Sequence, residues 1–291
     1  MSEYCIIALG MFDGVHLGHQ ALLKSAVKRK EKTGLPIKVV TFQIHPKQLL
    51  GQPPQLLCNN EEKSSLCKQY GADEVLFLPF DEQMRKMPPE QFVEKYLINE
   101  LNAKYIIVGE NYRFGYCQNG TSETLKKYDE FDTEVIPSVC FDDEIICSSK
   151  IRAFLLAGEL ERALKYLGHD LNVCGNVESG RKMGKTLGFP TANLKTFFPP
   201  LANGVYITET KIKNRWHPSV SNFGTIPTFL KDDTQVLETH FLDYNESIYG
   251  EKITVRFLKF VRNEMKFSCK EQLIEQIKKD KQSAMDYFSC L

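Results

Sequence analysis

Over the first 167 positions, apolar residues come in short unbroken runs. Longer stretches separate the runs, and in these the apolar residues recur every three or four positions. The runs at 5–9, 38–42, 74–78, 105–108 and 134–136 predict β-strands. The stretches at 20–32, 61–70, 89–101, 122–128, 148–157 and 159–166 predict helices. Strands that do not alternate, set between helices, are buried on both faces, as in a parallel sheet. Right-handed crossovers then give a doubly wound fold whose ligands sit beyond the carboxyl ends of the strands. From about residue 171 the pattern shortens. β-rich runs at 171–177, 204–208, 216–222, 236–241 and 253–257 are divided by turn signals, and an amphipathic helix at 269–281 closes the chain. This succession predicts a small antiparallel barrel or sandwich. Leu167-Gly168 marks the seam, because glycine commonly ends a helix. The predicted domains are 1–168 and 171–291.

Composition narrows the function classes. Thirty-seven Lys and Arg balance 37 Asp and Glu among 291 residues. A zero balance argues against a general nucleic-acid binder, which needs excess cations to release counterions from phosphates. No window approaches the roughly 18–20 apolar residues needed to span a bilayer. The Met-Ser-Glu-Tyr-Cys start lacks the basic region of an export signal. The nine cysteines are scattered and form no C-x-x-C pair. They read as reduced thiols of a cytoplasmic protein.

The most informative segment is Gly10-Met-Phe-Asp-Gly-Val-His-Leu-Gly-His19, which runs from a buried strand through a glycine-rich turn into a helix. A helix N-terminus offers unpaired N–H groups and a partial positive charge, which suit phosphate. His16 and His19, three apart, share a face in a helical turn and suit charge that develops during phosphoryl transfer. Gly18 between them permits close backbone approach. Two other readings stay open: a metal site with His45 as a third ligand, or structural histidines. Asn111 follows a strand, where it is either a ligand or a turn former. Ser148 and Ser149 open a helix, where Ser is first a cap, and Arg152 lies one turn on. The segment Gly180-Arg-Lys-Met-Gly-Lys-Thr186 imitates a P-loop, but it has three residues between its glycines where four are required. Pro190 also blocks the long helix that a P-loop feeds.

The H-x-G-H element resembles that of the nucleotidyltransferase superfamily, and the fuller G-x-F-D-G-V-H-x-G-H resembles the bacterial FAD synthetase family. Later segments agree in order: Thr41-Phe42 with His45-Pro46, Val108 through Gly115, and Cys147-Ser-Ser-Lys-Ile-Arg152. Beyond the seam, Gly180 through Asn193 resembles the flavokinase pattern G-x-x-x-G-[RK]-x-L-G-F-P-T-A-N. Gly204-Val-Tyr206, Asn222 through Phe229, Glu238-Thr-His240, Tyr249-Gly250 and Arg262 follow.

The resemblance implies a riboflavin kinase joined to an FMN adenylyltransferase. In the first module it implies His16 and His19 as catalytic groups. It assigns Gly10, Phe12, Asp13, Gly14, Gly18, Ser148, Ser149 and Arg152 to ATP phosphates, and His45, Asn111, Arg113 and Phe114 to the flavin. In the second it implies Glu238 as general base for the riboflavin hydroxyl. Gly180, Gly184 and Lys185 are assigned there to ATP, Thr191 and Asn193 to Mg2+, and Arg262 to the flavin. The expected partners are riboflavin, FMN and ATP, with FAD as product, and neither nucleic acid nor membrane. The chain is expected to be a monomer or weak oligomer. Two positions depart from the family pattern: Cys147 replaces a Ser, and Ile145 stands where some members carry Arg. An enzyme with one activity, or a flavin-binding regulator, therefore remains an alternative.

Overall fold

A computed structural model describes residues 4–51, 53–178, 191–226, 234–244, 246 and 248–290. The chain divides into two units, Met1–Lys150 and Ile151–Leu291.

The first unit is built on β1 (Cys5–Leu9), α1 (Leu17–Thr33), β2 (Ile37–Phe42), α2 (Asn60–Gln69), β3 (Glu74–Leu78) and α3 (Glu82–Arg85). Next comes α4 (Pro89–Phe92), which widens into a π-helical stretch over Val93–Glu100 and leads to β4 (Ala103–Gly109). The hairpin β5 (Arg113–Phe114) and β6 (Gly120–Thr121), then α5 (Ser122–Leu125) and β7 (Asp132–Ile136), follow it. A last hairpin joins β8 (Cys140–Phe141) to β9 (Glu144–Ile145).

Five parallel strands form one sheet in the order β3-β2-β1-β4-β7. All of β1 is buried because it is the central strand. Cys5, Ile7 and Leu9 enter the core on one side of the sheet, and Ile6 and Ala8 the core on the other. That two-sided burial is why the strand reads as an unbroken apolar run. The strand order reverses between β1 and β4, so a crevice opens at their carboxyl ends. Helix α1 starts earlier than its apolar periodicity suggests, at Leu17, because His16 takes the N-cap position.

The second unit takes up α6 (Ser148–Leu156) from Ile151 onward, then α7 (Leu160–Leu167). Its strands are β10 (Leu171–Glu178), β11 (Thr191–Leu194), β12 (Gly204–Ile212), β13 (Arg215–Ile226), β14 (Thr234–Phe241) and β15 (Lys252–Asn263), and α8 (Lys270–Ser289) follows. The strands close into a barrel in the order β10-β11-β14-β13-β12-β15. Of the two predicted forms, barrel or sandwich, the barrel is the one observed. Closure removes the exposed strand edges that a sandwich would have to protect.

A six-stranded barrel leaves little room inside, and small side chains fill part of it. Thr208, Thr210, Ser219, Ser221 and Thr239 are all 0% exposed. Their hydroxyls form one chain in the order Thr210–Ser219–Thr208–Ser221–Thr239, with O···O distances of 2.9, 2.8, 2.8 and 2.8 Å. Buried hydroxyls are tolerated because each has a partner.

Candidate functional sites

The first site lies where β1 ends. Residues Phe12 and Val15 hold the left-handed backbone region, at φ 49° and 38°, and Gly14 does so at 76°. For a buried Phe and a β-branched Val this costs about 1–3 kcal/mol each, so the surrounding structure must impose it. Three contacts do. The Asp13 carboxylate accepts the Leu57 N–H at 2.8 Å. The Gly14 N–H donates to Cys58 Sγ at 3.1 Å. Ser148 Oγ donates to the Asp13 carbonyl at 3.0 Å. Burial, with Asp13 alongside, pushes the Cys58 thiol up to about 12, so it stays a neutral packing group.

Leaving this turn, the His16 and His19 rings stack with centroids 3.8 Å apart, and His19 also touches the Phe12 ring. Gly18 is needed here, but for a different reason than the sequence suggests. A Cβ at Gly18 would stand 3.1 Å from the His16 ring, so the space over it is filled by imidazole. The buried His19 Nδ1 has no hydrogen-bond partner among the described residues. Burial, then His16, then Lys63, hold His19 well below the ordinary imidazole range, so the ring is neutral. Ser148 is the first residue of α6, and its proton is committed to Asp13. Ser149 is exposed, and Arg152 sits one turn further along α6, in the second unit. Of the two departures, Ile145 is 48% exposed on β9 and Cys147 is half-buried.

Beside the turn lies a cavity of about 580 Å3 that Gly10 and Met11 also line. Its size is that of ordinary cofactor pockets. The wall is largely aromatic: Phe42, Phe80, Phe92, Tyr112 and Phe114 all face it. Phe42 and Phe80 meet edge to face at 4.8 Å, and Tyr112 stacks on Phe114 at 5.7 Å. Burial raises the Tyr112 phenol, which stays protonated. His45, Asn111, Arg113 and Phe114, the four residues assigned to flavin in this unit, are brought together as lining residues. The His45 Nδ1 accepts the Lys47 N–H at 3.2 Å, and Asn111 donates to Ser138 Oγ at 3.1 Å. Phe42, Phe80, Phe92 and Tyr112 were missed as site residues. For Phe42, Phe80 and Tyr112 the available signal was an aromatic residue at or just past a strand's carboxyl end; Phe92, on α4, carried no such signal. No group of three or more His, Cys, Asp or Glu among the described residues is arranged to hold a metal ion.

The second site follows from barrel register. Glu238 on β14 stands directly opposite Asn193 on β11 and opposite Asn222 on β13. Directly opposed residues share a sheet face. Their neighbours Thr239 and Ser221 are inside the barrel, so this face is the outer one, where Glu238 is exposed. Asn222 is a member of this row that the sequence motif contains without revealing its place. Thr191 pairs through its backbone with His240. Residues 179–190, and with them Gly180, Gly184 and Lys185, lie outside the described residues. So do 227–229 of the segment that begins at Asn222. Arg262, assigned to flavin by resemblance, is engaged elsewhere. Its Nε and Nη2 donate to the two oxygens of Asp280 on α8 at 2.9 and 2.6 Å, and Gln276 adds a further bond at 2.9 Å.

Comparison with known proteins agrees in both units. The FAD synthetase family model matches residues 1–150, and the riboflavin kinase family model matches 167–288. The bifunctional riboflavin kinase/FMN adenylyltransferase of Bacillus subtilis is 35% identical, covering 98% of this chain and 93% of its own length. That of Escherichia coli K12 is 34% identical over the same shares. A solved Streptococcus pneumoniae structure, described as a macrolide-efflux protein, superposes with a TM-score of 0.89 at 33% identity. The match covers 98% of this chain and 95% of that one. Among the described residues here, no helix is long and apolar enough to cross a membrane. With both family models matched in order, and relatives matched over nearly their whole length, the chain belongs to the bifunctional riboflavin kinase/FMN adenylyltransferase family.

Proposed function

We propose that the barrel unit phosphorylates riboflavin to FMN and that the first unit joins FMN to the AMP moiety of ATP, releasing FAD and pyrophosphate. The observation that carries this reading is the aromatic cavity of about 580 Å3, which shares Gly10 and Met11 with the His16–His19 turn. A flat apolar ring system fits the cavity, and its phosphate would then lie at the turn. In the second step an FMN phosphate oxygen attacks the α-phosphorus of ATP, and the bond to the β-phosphate breaks. Such a displacement needs positioning and charge stabilisation, with no enzyme nucleophile. His19, kept neutral, serves as a hydrogen-bond donor and not as a fixed cation. His16, Ser149 and the turn amides complete the phosphate site; Asp13 and Ser148 hold its shape. His45, Asn111, Arg113 and Phe114 orient the flavin.

In the first step Glu238 accepts the proton of the riboflavin hydroxyl as that oxygen attacks the γ-phosphorus of ATP. The outer row beside Glu238 offers uncharged amide oxygens from Asn193 and Asn222, a donor set that suits a hard cation already bound to phosphate. Thr191 and Asn193 would hold Mg2+, which neutralises phosphate charge when bound. Gly180, Gly184 and Lys185 would bind ATP, and Arg262 would act on the flavin through the position of α8. The enzyme acts in the cytoplasm on small molecules, as a monomer or weak oligomer.

The test is incubation with riboflavin, ATP and magnesium, separating flavins over time. FMN followed by FAD is expected. If no FAD forms even when FMN is supplied, the adenylyltransferase assignment fails. Glu238→Gln should abolish FMN formation and leave the conversion of FMN to FAD intact.

A further inference from the structure

Lys63 lies in the first turn of α2 and is only 3% exposed. A buried ammonium is costly unless something compensates it. The helix makes matters worse, because a cation near the amino end opposes the macrodipole. Among the described residues Lys63 makes no ion pair and no side-chain hydrogen bond. Its Nζ lies 5.9 Å from the centroid of the Phe77 ring, at the outer limit of a cation–π contact. The buried carboxylate of this unit among the described residues, Asp13, accepts the Leu57 N–H at Oδ1. The fold therefore keeps a nearly buried lysine, without an ion pair among the described residues, at a position where Met or Leu would be cheaper.

Its location suggests why. Helix α2 packs on the 13–15 turn. One turn beyond Lys63, Cys67 is fully buried in the same cluster as Phe12, Val15 and Leu22. The charge of Lys63 is felt by His19 and by Cys58, whose sulfur accepts the Gly14 N–H. The cation thus lies behind the turn that would receive nucleotide phosphates, and it acts on the histidine that faces them.

We propose that Lys63 is a further phosphate-binding residue of the adenylyl-transfer site, its ammonium compensated by the ATP phosphates and the departing pyrophosphate. This rests on the assignment of FMN adenylylation to the first unit. An anion entering there completes an ion pair of which the protein already holds the desolvated half, so little reorganisation remains at binding.

The test uses the full chain with Lys63→Met and Lys63→Arg. Lys63→Met should lower kcat/KM for FMN adenylylation about 10–100-fold, the range for losing a hydrogen bond to a charged group. Riboflavin phosphorylation in the same preparation should be unchanged, and Lys63→Arg should recover much of the loss. A purely structural role would not give the next result. Without nucleotide, Lys63→Met should melt at the wild-type temperature or above, since an apolar side chain replaces an uncompensated charge. It should also lose most of the melting shift that inorganic pyrophosphate gives the wild type. Adenylylation within twofold of wild type would overturn the proposal. So would a lower melting temperature without ligand, or no pyrophosphate shift in the wild type. A wild type that shifts with pyrophosphate but makes no FAD would remove the adenylylation assignment and leave Lys63 as a phosphate ligand.

Discussion

The hydroxyl chain inside the barrel makes a prediction that depends on position along it. Five hydroxyls share four hydrogen bonds, so one proton is left to find an acceptor outside the chain. Thr208→Val keeps shape and β-branching but removes the central member and two bonds. The chain then falls into two pairs, and a second proton is left without an acceptor in the chain. At about 1 kcal/mol net per bond, plus part of the penalty for one more unsatisfied buried donor, the loss is about 2–3 kcal/mol. Thr239→Val removes an end member and one bond, and leaves the count of unspent protons as it was. Its cost should be about 1 kcal/mol. Urea unfolding followed by tryptophan fluorescence measures both, because Trp216 on β13 is the only tryptophan and reports the barrel unit alone. Equal losses for the two variants, or a neutral Thr208→Val, would refute the chain as a connected network.

Three shorter predictions follow. Gly18→Ala places a methyl 3.1 Å from the buried His16 ring. It should favour helix α1 by about 1 kcal/mol while slowing FMN adenylylation about tenfold or more; unchanged adenylylation would remove His16 placement from the mechanism. Arg262→Ala strands the buried Asp280 carboxylate and should cost about 2–4 kcal/mol in barrel unfolding. Arg262→Met with Asp280→Leu should recover most of that, and a single variant of wild-type stability would show the pair to be dispensable. The depressed His19 remains neutral in the folded state, whereas the unfolded chain takes up a proton below about pH 6.5. Stability should therefore fall as pH drops below that value, by up to about 1.4 kcal/mol per pH unit. His19→Gln should flatten the slope, and an identical slope in the variant would assign it to another group.

Much of the fold was legible because burial controls composition. The five sheet strands send side chains into both cores, so their runs are rich in apolar residues, and each observed strand falls on its predicted run. Strand β11 was not legible: its Thr-Ala-Asn sequence reads as a polar turn, and only pairing with β14 makes it extended. The two-residue strands of β5–β6 and β8–β9 are too short to show a period. The Gly10–His19 turn was legible as chemistry, but the division of labour within it was not. That Asp13 holds Leu57 and that Gly18 seats a ring both depend on residues distant in sequence or on packing. Lys63 reads as one charge in a polar helix, since nothing in Asn-Glu-Glu-Lys-Ser-Ser says which way α2 faces.

The left-handed turn after β1 also constrains when the site can exist. Three of its hydrogen bonds reach far along the chain, spanning 44, 44 and 135 positions. Locally the turn gains the bond from the Val15 N–H to the Phe12 carbonyl at 3.3 Å, too little to offset the cost of two left-handed non-glycine residues in the isolated segment. Closing those long loops must come first, and contacts of such separation form slowly. On the ribosome, the segment at 10–19 emerges early but waits for Ser148 before its shape is complete. The nucleotide site of the first unit is therefore among the last parts of that unit to mature, although its sequence is among the first to be made.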